Sequence, residues 1–187
     1  MKPIKTIAAT LVASTALGAT IALAAHHLPM VGGAEMYPDR TIVENASTAD
    51  NLTTLVAAVQ AAGLVDTLSG EGPFTVFAPT NDAFAALPEG AVEDLLKPEN
   101  LEQLQTVLGC HVVQADAMAD AIRGMVADDG GMHPVTTVGG CRLMVRTDGD
   151  TILIEDENGR VATVTQADVD QSNGVVHVID TVILPAS

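Results

Sequence analysis

Two hydrophobic rhythms divide the chain. In the first half apolar residues recur at helical spacing. Leu52, Leu55, Val56, Val59 and Ala62 share one face of a predicted helix, with Asp50 or Asn51 as its cap and Gly63 as its stop. A short helix is expected over 41–46 and a further helical turn over 64–68, followed by the loop Ser69-Gly70-Glu71-Gly72-Pro73. Residues 74–78 alternate as a strand. Pro79-Thr80-Asn81-Asp82 then turns the chain into a helix with Phe84 and Leu87 inward, and Thr80, Asn81 and Asp82 are all residue types that cap free backbone N–H groups. Helices are predicted over 89–97 and again from Pro98 or Glu99, with Leu101, Leu104, Gln105 and Leu108 on one side and Gly109 at the end. A strand over 110–114 and an Ala-rich helix capped by Asp116 and running through Ile122 follow; residues 124–134 carry the weakest pattern. Beyond them the spacing changes to two. Short strands are predicted over 135–138, 142–146, 151–155 and 161–165, with turns at Gly139-Gly140, Asp148-Gly149-Asp150 and Asn158-Gly159.

The last strand is the most apolar. After the turn pair Asn173-Gly174, residues Val175, Ile179 and Ile183 fall on one face and Val176, Val178, Val182 and Leu184 on the other, until Pro185 ends the run. Apolar side chains on both faces predict a central strand covered on both sides. His177 interrupts one face and needs a hydrogen-bonding partner if buried. Helices first and strands second predict an α+β domain with an antiparallel β-sandwich.

Composition sharpens this picture. The 187 residues include three Phe, one Tyr and no Trp, so the core must be built from aliphatic side chains, and platforms for stacking bases or sugars are disfavoured. Residues 1–24 have the form of a secretory signal peptide: Lys2 and Lys5, an apolar run to Leu23, and the small-x-small site Ala22-Leu23-Ala24. Cleavage after Ala24 or Ala25 would leave an extended arm over 25–38 and a domain over 39–187. A secreted or periplasmic protein with no inserted membrane segment is expected. Without Lys2 and Lys5, six basic residues face 24 acidic ones, a net charge of −18, which repels nucleic acid and anionic membranes.

Three segments in order carry a family resemblance. The stretch from Thr75 to Phe84, reading Thr-Val-Phe-Ala-Pro-Thr-Asn-Asp-Ala-Phe, is similar to the first signature of the fasciclin-like (FAS1) family. Cys110-His111-Val112-Val113 resembles its Tyr-His strand with the tyrosine replaced, and the stretch from Asn173 to Pro185 resembles its second signature. The resemblance implies a β-wedge flanked by a layer of short helices, no catalytic centre, and binding of a protein or cell-surface partner. In some members an Asp-Ile pair before the second signature and the Tyr-His strand are linked to receptor binding. The corresponding positions here are Asp168, Val169 and His111, with Val169 and Cys110 departing from the pattern. The structural signature set is Thr80, Asn81, Asp82, His111, Asn173, Gly174, His177 and Asp180.

The sequence leaves some chemistry open. No nucleophile triad, P-loop, dinucleotide fingerprint or zincin motif is present, so a non-enzymatic monomer without cofactor is expected. The alternative is a small enzyme or ligand-binding protein using His111 and His177. Asp148-Gly149-Asp150 and Glu155-Asp156-Glu157-Asn158 lack calcium-loop spacing and are expected to be wet hairpin tips. Cys110 and Cys141 are expected to form a disulfide, since export delivers both to an oxidising compartment and the resemblance puts their strands in one β region; two buried free thiols are the alternative. A cleaved N-terminus would place His26 and His27 beside a free amine, a square-planar copper or nickel arrangement, with Met30 and Met36 as soft ligands downstream.

Overall fold

The computed structural model describes residues 28–186. The signal segment and the pair His26 and His27 therefore lie outside the described residues. Strands β1 (Met30–Val31) and β2 (Ala34–Glu35) form a tight hairpin in which Gly32 and Gly33 have φ of 55° and 81°, the conformation a two-residue turn requires. This corrects the expectation of an extended arm. Val31 and Met36 are each only 2% exposed and belong to the core, so Met36 is a packing residue and not an available sulfur ligand.

A helical layer follows: α1 (Ile42–Ala46), a 3-10 turn over Asp50–Leu52, α2 (Thr53–Ala61) and α3 (Val65–Leu68). Strand β3 (Phe74–Pro79) is buried throughout and leads into α4 (Asn81–Ala85). Helices α5 (Ala91–Leu95) and α6 (Leu101–Gly109) precede the two-residue strand β4 (Val112–Val113). The strand predicted over 110–114 is thus shorter, because Cys110 is still the cap of α6. Helix α7 (Ala119–Asp128) runs six residues past its predicted end, into the stretch expected to be least ordered, because Val126 on its inner face is buried (2% exposed). The chain closes with β5 (His133–Thr136), β6 (Arg142–Asp148), β7 (Thr151–Glu155), β8 (Val161–Gln171) and β9 (Gly174–Ile179).

Seven strands form one sheet in the order β4-β3-β9-β8-β7-β6-β5. Every pair is antiparallel except β3 with β9, whose parallel register runs from Phe74↔Gly174 to Pro79↔Ile179. The sheet is therefore mixed, since the crossover from β3 to β9 carries five other strands and four helices. β9 is central and covered on both sides, as its pattern predicts, but it stops at Ile179 and not at Leu184. β8 is twice the predicted length. Its first half pairs with β7 and its second half with β9, with register shifts between Val164 and Val169. Those bulges bend β8 so that one strand serves both halves of the wedge.

The core splits accordingly. Ile42, Leu52, Leu55, Leu104, Leu108, Val176 and their neighbours fill the space under the helices. Leu143, Val145, Ile152, Ile154, Ile179 and Ile183 fill the other half, beneath α7. The edge strands β4 and β5 are drawn together where Val138 N–H donates to Val112 C=O (2.8 Å) and Gly139 N–H to Gly109 C=O (2.9 Å). Exposed pairing edges are thereby reduced.

Candidate functional site

His111 and His177 both occupy closed surroundings. The His111 ring is 2% exposed; its Nδ1–H donates to Val107 C=O (2.8 Å), and Ile183 N–H donates to its Nε2 (3.0 Å). His177 is fully buried with the opposite tautomer: Nε2–H donates to Ala117 C=O (2.8 Å), and Asp168 N–H donates to Nδ1 (3.2 Å). A carbonyl can only accept and an amide N–H can only donate, so these partners fix each ring as neutral. Burial lowers the His111 pKa to about 4, against smaller opposing effects of Val107 C=O and Asp156. The His177 pKa is also lowered, again mainly by burial. Neither ring has a nitrogen left for a proton transfer or a metal. His111 instead ties the end of α6 to the C-terminal stretch, and His177 ties β9 to the segment before α7 and to the bulge in β8.

The polar signature residues follow the same logic: Asn173 and Asn81 cap helices from across the fold, and so does Asp168. Asn173 Oδ1 accepts from Ile42 N–H at the start of α1 (3.0 Å), while its Nδ2 donates to Leu68 C=O (2.8 Å) and Gly70 C=O (3.0 Å). Asn81 Oδ1 accepts from Thr54 N–H in α2 (3.0 Å), and its Nδ2 donates to Asp50 C=O (3.0 Å). Asp168, at φ 57°, accepts from Ala119 N–H at the start of α7 (2.6 Å). First-turn N–H groups have no acceptor within their own helix, so a side chain from elsewhere can satisfy them. Two predicted caps are thereby corrected: Asn81 and not Asp50 or Asn51 serves α2, and Asp168 and not Asp116 serves α7. Only Thr80 of the Thr80-Asn81-Asp82 turn caps its own helix, accepting from Ala83 N–H (3.3 Å). Asp82 is exposed and makes no such bond. Asn81→Ala is therefore expected to cost about 1–2 kcal/mol and Asp82→Ala less than about 0.5 kcal/mol. Denaturant midpoints check this ordering, and equal losses would contradict it.

Three further buried groups belong to this network and were not singled out from the sequence. Asp156 was expected to be wet, yet it is only 5% exposed: Oδ1 accepts from Asn158 N–H and Arg160 N–H (2.9 Å each), and Oδ2 from Leu184 N–H (3.2 Å). An Asp two residues before Asn in a turn is the available clue, since such a carboxylate folds back on the backbone. Thr75 Oγ1 donates to Ala115 C=O (2.6 Å) and accepts from Ala117 N–H (3.0 Å). Asn45 exchanges two bonds with the Tyr37 backbone and donates to Gln171 Oε1. Asp180 performs an exposed version of the same task, accepting from Thr163 N–H (2.8 Å).

Cys110 and Cys141 are joined in a disulfide with a Cα–Cα separation of 5.2 Å. Beside it a Cβ on Gly109 would lie 2.7 Å from Gly139 Cα, so both glycines allow the backbones to meet. The bridge closes a loop with a sequence separation of 31 residues. Replacing both cysteines with alanine should cost about 3–4 kcal/mol through the freed unfolded chain. Denaturant melts of the double variant beside the parent measure it, and a loss under about 1 kcal/mol would show that the crosslink restricts little.

Of the residues the resemblance links to binding, Asp168 is exposed, while Val169 and His111 are 1% and 2% exposed. The structure does not bring the two histidines into a common cleft. His111 lines an apolar cavity of about 30 Å³ with Ile42, Leu55 and Leu108, too small for more than a water-sized occupant. Among the described residues no group of three or more His, Cys, Asp and Glu side chains is placed to hold a metal ion. No helix among them is long and apolar enough to cross a membrane.

Comparison with known proteins agrees with this architecture. Residues 50–185 match the family model for the fasciclin domain. Protein sll1483 of Synechocystis is 49% identical over 150 residues, covering 78% of this chain and 73% of that protein. Transforming growth factor-beta-induced protein ig-h3 of pig is 35% identical over 148 residues, 79% of this chain but only 20% of that much longer protein. The structure of a FAS1 domain pair from the insect cell adhesion molecule fasciclin I superimposes with a TM-score of 0.55 at 28% identity, covering 67% of this chain and 42% of the pair. With this fold, this network and a family match over most of its length, the chain belongs to the fasciclin (FAS1) domain family.

Proposed function

We propose that the protein is an exported, non-enzymatic interaction module: a single FAS1 domain that binds a protein of the cell envelope or extracellular matrix. The observation that carries this reading is the fasciclin match over residues 50–185, in a family whose domains are typically extracellular and related to adhesion. The signal-like segment 1–24 and the charge of the remaining chain support export to the periplasm or medium as a soluble monomer. The use of both nitrogens of His111 and of His177 in backbone bonds speaks against the enzyme alternative. Asp168 is the part of the receptor-linked set that a partner can touch; Val169 and His111 are buried.

The test is a crosslinked pull-down from the envelope and culture medium of the source cell, using tagged processed protein. A discrete protein partner, competed by untagged domain, is expected. Recovery of only the bait, or turnover of a small-molecule library abolished by His177→Gln, would overturn the reading.

A further inference from the structure

The outer face of the sheet at β6 is charge-balanced within an acidic molecule: Arg142 and Arg146 share it with Glu155 and, at the end of the strand, Asp148. Arg142, Met144 and Arg146 alternate with the buried Leu143 and Val145, so all three point away from the core. Register places Leu153 beside Arg146, and Glu155 beside Met144, with Val161 across from Glu155 on the next strand. Met144, Leu153 and Val161 are all half-buried. Among the described residues Lys97 pairs with Asp94, Arg123 with Asp120, and Arg40 lies over the Tyr37 ring. Arg142 and Arg146 have no carboxylate at ion-pair distance, even with Glu155 set diagonally between them. Arg160 is also unpaired but lies off this face, in a groove beside Leu184.

We propose that this face docks an extended acidic segment of a partner protein. The segment carries carboxylates at positions i and i+4 over Arg142 and Arg146, and an apolar side chain at i+2 over Met144. The spacing follows from strand geometry: four residues of β6 span about 13 Å, and an extended partner strand repeats at the same rise. Guanidinium groups favour planar carboxylates and bond them in pairs. The apolar side chains between the arginines, with no aromatic ring among them, suit a polypeptide better than a sugar chain. The surrounding negative charge sets orientation. It repels an acidic partner elsewhere on the surface, but over only about 8 Å at physiological salt, leaving this face as the place where contact is favourable. The inference rests on the module reading above and gives it a face.

Two peptides of identical composition test it, titrated by fluorescence anisotropy into the full-length protein. One has the repeat Glu-Thr-Val-Thr-Glu; the other groups its glutamates together. The first is expected to bind at least tenfold more tightly. Arg142→Glu/Arg146→Glu should lose at least tenfold for it, while Lys97→Glu stays within twofold. Circular dichroism melts confirm that each variant is folded, and Arg142→Lys/Arg146→Lys, which keeps charge but not the planar fork, should fall between. Equal affinity for the two peptides, no binding of either, or retained binding by the Glu double variant would each overturn the proposal. So would tighter binding of heparin, which would assign the face to a polyanionic glycan. If the double variant captures the same envelope partner as the parent, this face is wrong while the module reading survives.

Discussion

Gly174→Ala is expected to lower stability by more than about 3 kcal/mol or to prevent folding outright. A Cβ at this position would lie 1.9 Å from the Phe74 carbonyl oxygen and 2.8 Å from the Phe74 nitrogen. The obstacle is backbone, held in the parallel register Phe74↔Gly174 that starts the pairing of β3 with β9. Neither strand can retreat, because β4 flanks one side and β8 the other. The residue also sits at φ 152°, which side chains rarely adopt. Gly159→Ala is the internal control. It has φ 77° but nothing within 4 Å of its Cβ, so only the backbone cost of about 1 kcal/mol applies. Urea midpoints for the two variants measure the difference. A Gly174→Ala loss no larger than that of Gly159→Ala would mean that the close approach to Phe74 does not limit the fold.

The second large effect is on acid stability. His111 has a folded pKa of about 4 against 6.5 for an ordinary imidazole, because burial excludes the charged form. The unfolded chain therefore binds the proton first as pH falls. The associated stability is fully present above about pH 7, declines from about pH 6.5, and is gone below about pH 4, a total of about 3 kcal/mol. By pH 5 about 2 kcal/mol of it should be lost. His177, with its pKa lowered for the same reason, adds to the loss in the same direction. Protonation also turns an acceptor nitrogen towards an N–H group, Ile183 for His111 and Asp168 for His177. Carboxylate protonation relieves the repulsion of an acidic chain and works oppositely, but mostly nearer pH 4. Urea midpoints between pH 7.5 and 5 isolate the histidine effect. His111→Gln keeps a donor and an acceptor without a titrating group and should flatten the slope. A parent protein equally stable at both pH values, or an unchanged slope in His111→Gln, would contradict the assignment.

Much of the scaffold was legible because it is local. The α2 pattern from Leu52 to Ala62, the Thr80 cap, the 151–155 strand and the apolar run after Gly174 each depend on near neighbours. What escaped depends on segments brought together by topology. Asp168 lies 49 residues from the Ala119 N–H it caps, and Asn173 lies 131 residues from Ile42. No periodicity encodes such a cap. The parallel pairing of β3 with β9 is equally non-local, and the bulges of β8 shift its buried face from Ala162 and Val164 to Val169 and Gln171, which breaks the simple alternation by which a strand is recognised. α7 continues through Gly124 because Val126 is buried beneath it, a tertiary gain that outweighs a helix-weakening glycine. The candidate binding surface shows the same limit. Arg142 and Arg146 are plain in the sequence, but their lack of carboxylate partners is a property of the folded sheet.

The signature residues Asn173, Asn81 and His111, together with Asp168, clamp backbone from distant parts of the chain. Native-state hydrogen exchange reads those clamps individually. Ile42 and Ala119 N–H are first helical residues, Thr54 N–H lies in a first turn, and Ile183 N–H is outside any strand, so none has a partner in its own element; each donates to Asn173, Asp168, Asn81 or His111. Their exchange is predicted to be slow, within about tenfold of the core amides of β9, and Asn81→Ala should release Thr54 before the others. Exchange of these four amides at the rate of unprotected loop positions, with β9 still protected, would contradict the account.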